Sequence, residues 1–252
     1  MIEIRNITLA FGSNRLITDA SARFTRGNMV ALLGRNGTGK STLLRAMAGL
    51  GKVATGDIIV DGGNLATLSA TERAERIAFV NTERVDVDVL SVCELVSIGR
   101  SPYTNWIGSL SKEDHEIVEH AMEVTGIMKF ANRKVNTLSD GEAQRAMIAR
   151  ALAQETPIIL LDEPTSFLDL PNRYELCRLL SDLAHKENKC VIFSTHELDI
   201  ALSLADSIAL VDTPRLVHLP TAEMITSGNI ERLFDSEYIS FDATSRSINL
   251  KR

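Results

Sequence analysis

The sequence predicts an α/β fold: a core built on a parallel sheet, an antiparallel β subdomain and an inserted helical subdomain. Three observations carry this expectation. Short apolar or β-branched runs, MVALLG at 29–34, PIILLDEP at 157–164 and CVIFSTH at 190–196, each lead into a helical pattern, as buried parallel strands do. IEIRNITLAF near the N-terminus and GDIIVDGG from Gly56 instead alternate beside glycine turns, the signature of an antiparallel sheet. Between about residue 85 and residue 150 strand signals stop and amphipathic helical patterns take over.

One domain is expected, with a core at about 1–84 and 151–220, a helical subdomain at about 85–150 and a short extension at about 221–252. A chain of 252 residues, 44% of them hydrophobic, buries roughly 70–75% of its unfolded surface, enough for one large core. The net charge of −6 and the absence of a Lys/Arg cluster argue against a nucleic-acid surface. Cys93, Cys177 and Cys190 are odd in number and lack C-x-x-C spacing, which points away from disulfides and zinc and toward a reducing compartment. No stretch resembles a signal peptide, and no apolar run approaches the ~18 residues of a membrane span. A soluble chain is expected.

The first element to carry chemistry is GRNGTGKS, Gly34–Ser41, which fits G-x-x-x-x-G-K-S between a strand and an apolar-periodic helix. Gly34, Gly37 and Gly39 let the backbone turn its N–H groups around a β-phosphate, Lys40 reaches the β/γ-phosphates, and the Ser41 hydroxyl ligates Mg²⁺. A ligand-free glycine turn is the plain alternative, and the flanking strand and helix weigh against it. The core is therefore expected to be that of a phosphate-loop nucleotide hydrolase.

In the helical lobe, SKEDHEIVEHAMEVTG opens with Ser111 and Asp114 in capping-box positions. Ile117, Ala121 and Val124 share one face of it, as do Val118 and Met122. Farther on, NTLSDGEAQRAMIAR places Ser139, Asp140 and Gly141 at a helix start. That start is either an ordinary N-cap or, if the helix is not capped internally, an anion site. On this stretch alone the cap is the commoner reading.

IILLDEP then carries Asp162 to the end of a buried strand, where a carboxylate can hold Mg²⁺, with Glu163 beside it. Because Asp162 is committed to the metal, Glu163 is the candidate base for the attacking water. A turn-capping role for Glu163 is the alternative, and the C-terminal strand edge, where such sheets place ligands, favours the base. VIFSTHE ends another strand with His196 at the same edge, within reach of a γ-phosphate. A lone His is more often structural, and only this position raises the catalytic reading. The stretch from Arg215 to Arg252 carries no readable chemistry.

Taken in order, GRNGTGKST, LSDGE, IILLDEP, SFLD and STHE resemble the ATP-binding cassette of ABC transporters, over about Ile2 to Leu219. In that family the signature helix of one cassette caps the γ-phosphate of ATP held by the phosphate loop of a second. The resemblance implies that Gly34, Asn36, Gly37, Gly39, Lys40, Ser41 and Thr42 hold ATP. It places Ser139 and Gly141 in the signature and makes His196 the switch. Asp162 and Glu163 serve metal and water, and Asp169 communicates between two sites. Phe11 lies where the family stacks an aromatic on adenine, although a core aromatic fits the sequence equally well. Two departures stand out. Thr82, with Glu83 beside it, replaces the Gln that normally approaches the metal, and is expected to keep the coupling while weakening that contact. Asp140 and Glu142 replace Gly and Gln in the signature, and Asp140 is expected to point away from ATP.

The run SVCELVSIGRSPYTNWIGSLSKEDHEIVEHAMEVTGI is similar to the helical lobe of ATPases serving iron-siderophore, haem and cobalamin importers. The resemblance implies an ATPase using ATP and Mg²⁺, paired with a second ATPase subunit as a homodimer. It also implies an integral-membrane permease, with a solute-binding protein involved indirectly, and a peripheral position at the cytoplasmic face of the inner or plasma membrane. The alternative is a soluble non-transport cassette acting on a protein or nucleic-acid partner. A phosphate-loop kinase or GTPase fits poorly, since the chain has no N-K-x-D and neither class explains LSDGE ahead of LLDEP.

Overall fold

The computed structural model describes residues 1–12, 14–81, 88–104 and 108–251. The chain begins with β1 (Ile2–Phe11), β2 (Asn14–Phe24) and β3 (Asn28–Leu33), then α1 (Lys40–Met47), β4 (Thr55–Val60) and β5 (Gly63–Asn64). Next come α2 (Ala70–Ala74), β6 (Ile77–Val80), α3 (Val92–Ser97), α4 (Lys112–Val124), α5 (Asp140–Ala153) and β7 (Ile158–Leu161). They are followed by α6 (Leu170–His185), β8 (Cys190–Thr195), α7 (Leu198–Leu204), β9 (Ser207–Asp212) and β10 (Arg215–Pro220). The chain closes with α8 (Thr221–Thr226), α9 (Asn229–Phe234), β11 (Ile239–Asp242) and β12 (Ser247–Leu250).

The central sheet has the order β10-β9-β3-β8-β7-β6, parallel except for the antiparallel edge strand β10. Its inner strands β3, β8 and β7 are mainly apolar and buried because both faces are covered. Met29, Ala31, Leu33, Ile159, Leu161, Val191 and Phe193 face a core shared with α3, α4, α5 and α6. Their neighbours Val30, Leu32, Ile158, Leu160, Cys190 and Ile192 face a second core, shared with α1 and an antiparallel sheet of order β2-β1-β4-β5. The alternating N-terminal run builds that second sheet, with Ile2, Ile4, Ile7 and Leu9 turned inward. The register shift between Ile4 and Ile7 keeps Ile2 and Ile4 before it, and Ile7 and Leu9 after it, on the buried side.

Helices α3, α4 and α5 each begin with a capping box: Ser91 with Glu94, Ser111 with Asp114, and Ser139 with Glu142. In α4 the fully buried stripe is Val118, Ala121 and Met122, while Ile117 and Val124 are only partly buried along its margin. An ion cluster around the buried Arg100 and Asp114 ties these helices together. Arg100 donates from Nε to Asp114 Oδ1 at 2.8 Å and from Nη1 to the Ala153 carbonyl at 2.9 Å and Glu155 Oε2 at 2.8 Å. The Ser111 backbone N–H and hydroxyl, with Arg100, hold the Asp114 carboxyl down to about 2. The stretch beyond Arg215 forms β10, two short helices and the β11–β12 hairpin. Among the described residues no helix is long and apolar enough to cross a membrane.

Candidate active site

The site lies at the C-terminal edge of the parallel strands, where β3, β7 and β8 end side by side. Beyond β3 the chain turns into α1 through Gly39, whose φ of 99° suits only glycine. No side chain caps α1 and its first turn holds no acidic residue, so its N–H groups remain available to an anion. Gly34 is a glycine for a different reason: a Cβ there would sit 2.8 Å from the Val211 carbonyl oxygen.

Lys40 is buried, and its Nζ donates to the carbonyls of Gly34 at 2.9 Å and Arg35 at 3.1 Å. Burial lowers its pKa, opposed by the carboxylates of Glu163 and Asp162. The Ser41 hydroxyl donates to Asp162 Oδ1 at 2.8 Å. Glu163 Oε1 lies 3.9 Å from Lys40 Nζ and 3.6 Å from His196 Nδ1, and Ser166 Oγ donates to its other oxygen at 3.1 Å. Lys40, Ser41, Asp162, Glu163 and His196 are thus brought together as the sequence predicts. Ser41 and Asp162 present hard oxygen donors to one point, which fits Mg²⁺, an ion that binds through one or two protein oxygens and keeps waters and phosphate oxygens for the rest.

A cleft of about 430 Å³ opens from these groups. It is lined by the loop from Asn36 to Thr42 and Glu163 and, from the strands β1 and β2, by Phe11 and Leu16. Phe11 is 75% exposed at the end of β1, so it is not a core aromatic. It stands free to stack on a planar base.

The ABC transporter family profile matches residues 17–166, more than half of the chain. The chain belongs to the ABC transporter family. It is 37% identical over 231 residues to the petrobactin import ATP-binding protein FpuD of Bacillus anthracis, covering 92% of this chain and 85% of that protein. It is 36% identical over 229 residues to the ferric enterobactin transport ATP-binding protein FepC of Escherichia coli, covering 90% and 84%. Among solved structures, an ABC transporter assigned to the metal-chelate type, in an inward-facing conformation, superposes with a TM-score of 0.81 at 30% identity. That match covers 92% of this chain and 88% of the other. A dimeric cassette in a post-hydrolysis state with ADP and Pi superposes with a TM-score of 0.75 at 27% identity, covering 88% and 99%. As an ABC transporter ATP-binding protein, the chain binds and hydrolyses ATP.

Within this ABC cassette the signature residues stand apart from the cleft. Ser139 accepts from the Glu142 N–H at 3.4 Å, and its own N–H donates to Glu142 Oε2 at 2.9 Å. Of the two sequence readings for this helix start, the internal cap is the one observed in the single chain. A Cβ on Gly141 would lie 3.6 Å from the side chain of Asn172, in the first turn of α6. That turn is capped by Asp169, whose Oδ1 accepts from the Asn172 N–H at 3.1 Å. Thr82 and Glu83 lie outside the described residues.

Sequence reasoning missed three contributors. Ser194 bonds both Asp162 and Glu163, and Leu16 packs beneath Gly39 as well as lining the cleft. Arg173 joins the Leu168 carbonyl, at 2.7 Å, to Glu197 Oε1, at 2.6 Å, tying the Asp169 loop to the His196 loop. Only Ser194 left a trace in the sequence. It keeps step with Cys190 and Ile192 on β8 as Asp162 does with Ile158 and Leu160 on β7, so both fall on one sheet face.

Proposed function

We propose that the chain is the ATPase subunit of a metal-chelate importer, of the iron-siderophore, haem or cobalamin class. It sits at the cytoplasmic face of the membrane and drives a permease that receives cargo from a solute-binding protein. The observation that carries the catalytic part is the convergence of Lys40, Ser41, Asp162, Glu163 and His196 beside one cleft. The import names of its relatives support the cargo class, and they disfavour a soluble non-transport cassette.

In this reading Phe11 stacks on the adenine. The N–H groups of the loop from Gly34 to Gly39, with Asn36, Gly37 and Thr42 lining the same cleft, wrap the phosphates. Lys40 exchanges the carbonyls of Gly34 and Arg35 for phosphate oxygens, a short movement for a side chain already aimed at the loop. Ser41 and Asp162 hold Mg²⁺, which neutralises charge on the phosphates when bound. Glu163 takes a proton from water as the water oxygen bonds to the γ-phosphorus. The bond from that phosphorus to the bridging oxygen breaks with its electron pair leaving on ADP. His196 orients the water and the γ-phosphate from its place beside Glu163. Ser139 and Gly141 of a second copy reach the γ-phosphate across the pair, trading the bonds to Glu142 for bonds to phosphate. In the same reading Asp169, the N-cap of α6, communicates between the two ATP sites.

The test uses Glu163→Gln. Turnover is expected to fall roughly 10²–10⁴-fold while ATP binding is kept. The same variant, captured with ATP from detergent-solubilised native membranes, is expected to bring a multi-helix permease with it. Wild-type turnover would remove Glu163 as the base, and capture without a membrane protein would remove the transport reading.

A further inference from the structure

Beyond the residues that touch nucleotide, we infer that Ser194 is a positioning residue that sets the geometry of both Asp162 and Glu163. The inference rests on the roles proposed above for those two carboxylates. Ser194 is fully buried near the end of β8. Its hydroxyl donates to Asp162 Oδ1 at 2.7 Å and accepts from the Glu163 backbone N–H at 2.8 Å. A hydroxyl is one of the few side-chain groups able to donate and accept through a single atom, which fixes the direction of both bonds.

The position explains why such a group is needed. Strand β7 ends at Leu161, paired with Phe193, while β8 continues to Thr195. Beyond that point the Glu163 N–H has left the β7–β8 ladder, and in this buried setting an unpaired N–H is costly. Ser194 supplies the acceptor. Glu163 also has a φ of 43°, a left-handed conformation that a residue with a Cβ adopts only when its surroundings hold it there. The Ser194 bond on one side, and the Ser166 N–H donated to the Glu163 carbonyl at 3.1 Å on the other, pin this turn. The turn in turn aims the Glu163 carboxylate between Lys40 and His196.

At Asp162 the same oxygen accepts from Ser41 and from Ser194. Ser41 is the group whose hydroxyl must reorient toward ligand. Ser194 does not contact the cleft, so its bond persists through nucleotide binding and keeps the carboxylate from turning away. Two independent consequences follow for one hydroxyl: a carboxylate held for metal, and a base held for water.

The experiment compares Ser194→Ala and Ser194→Thr in the full chain. With Ser194→Ala, kcat is expected to fall about 10–100-fold with KM for ATP within about threefold, the size of effect that leaving a buried hydrogen-bond partner unmet produces. In a Glu163→Gln background, which removes turnover from the reading, the Mg²⁺ concentration for half-maximal binding of a fluorescent ATP analogue should rise severalfold. Ser194→Thr, which keeps the hydroxyl, should restore both. If Ser194→Ala does not fold, Ser194→Cys, of similar bulk and a weak hydrogen-bonding group, is judged on the same two measurements. Wild-type kcat and Mg²⁺ response in the hydroxyl-free variant would overturn the inference, as would equal losses in the Ala and Thr variants. Should Glu163→Gln alone retain turnover, the underlying assignment of the base fails first; with that variant inactive and Ser194→Ala normal, only the role of Ser194 falls.

Discussion

Helices α1 and α5 both begin with residues suited to receive phosphate, yet their first turns are built in opposite ways. Helix α1 starts at Gly39 with no side-chain cap and no carboxylate in its first turn, and a buried lysine is its first residue. Helix α5 starts at Ser139 with a complete capping box and two carboxylates, Asp140 and Glu142, in its first turn. The same partial positive charge of a helix start is left open in one case and satisfied from within in the other. An open start takes phosphate directly from solution. A self-capped start exchanges existing bonds for new ones, so it engages only a phosphate already presented with good geometry, as on a second copy of the chain.

The difference can be broken from either side. The largest effect is expected at the open end: Lys40→Ala should lower turnover roughly 10²–10³-fold, read by phosphate release at saturating ATP. At the self-capped end, Ser139→Ala should leave nucleotide binding by the single chain unchanged and weaken ATP-driven pairing about tenfold, read by size-exclusion chromatography in the Glu163→Gln background. The same change should lower folding stability by about 1 kcal/mol, the usual cost of a lost N-cap. If Ser139→Ala weakens nucleotide binding as strongly as Lys40→Ala, the two helix starts are not functionally distinct.

The smallest effect concerns the cap itself. The Ser139 backbone N–H holds the Glu142 carboxyl below its ordinary value. Because the folded pKa is the lower one, the stabilisation is present above the unfolded value and is lost as pH falls through the acid range below about 4.5. Glu142→Gln should therefore flatten the loss of thermal stability in that range, by a few tenths of a kcal/mol. An unchanged acid melting profile would show that Glu142 does not hold the cap charged.

The placement of the strand-edge residues was legible because local pattern fixes them to strand ends. An apolar run of four residues delivers Asp162 to the edge, and the G-x-x-x-x-G-K-S spacing between a strand and a helix places Lys40 and Ser41 at the start of α1. The start of α5 was not legible, because Ser139 and Glu142 are equally fit to cap a helix and to flank an anion. Only the observed bonds distinguish the two. Phe11 was undecided for a related reason: whether a strand-end aromatic is covered depends on the neighbouring strand, not on its own. Ser194 needed the register that pairs Leu161 with Phe193. The Arg100 cluster joins residues 14, 53 and 55 positions apart, beyond any local period. After Arg215 the helices are six residues each and the strands of the last hairpin four each, too short to leave a periodic trace.

The cleft is lined from two different sheets. Phe11 ends a strand of the antiparallel sheet, whereas the loop around Lys40 leaves a strand of the parallel one. In the binding mode proposed above, a nucleotide held at its base by one sheet and at its phosphates by the other would be a two-ended ligand whose ends reinforce each other through the ribose that links them. Once one end is seated, the other meets its contacts at high effective concentration. Adenosine and triphosphate supplied as separate molecules would reach the same contacts, yet together they should fill the cleft far less readily than intact ATP.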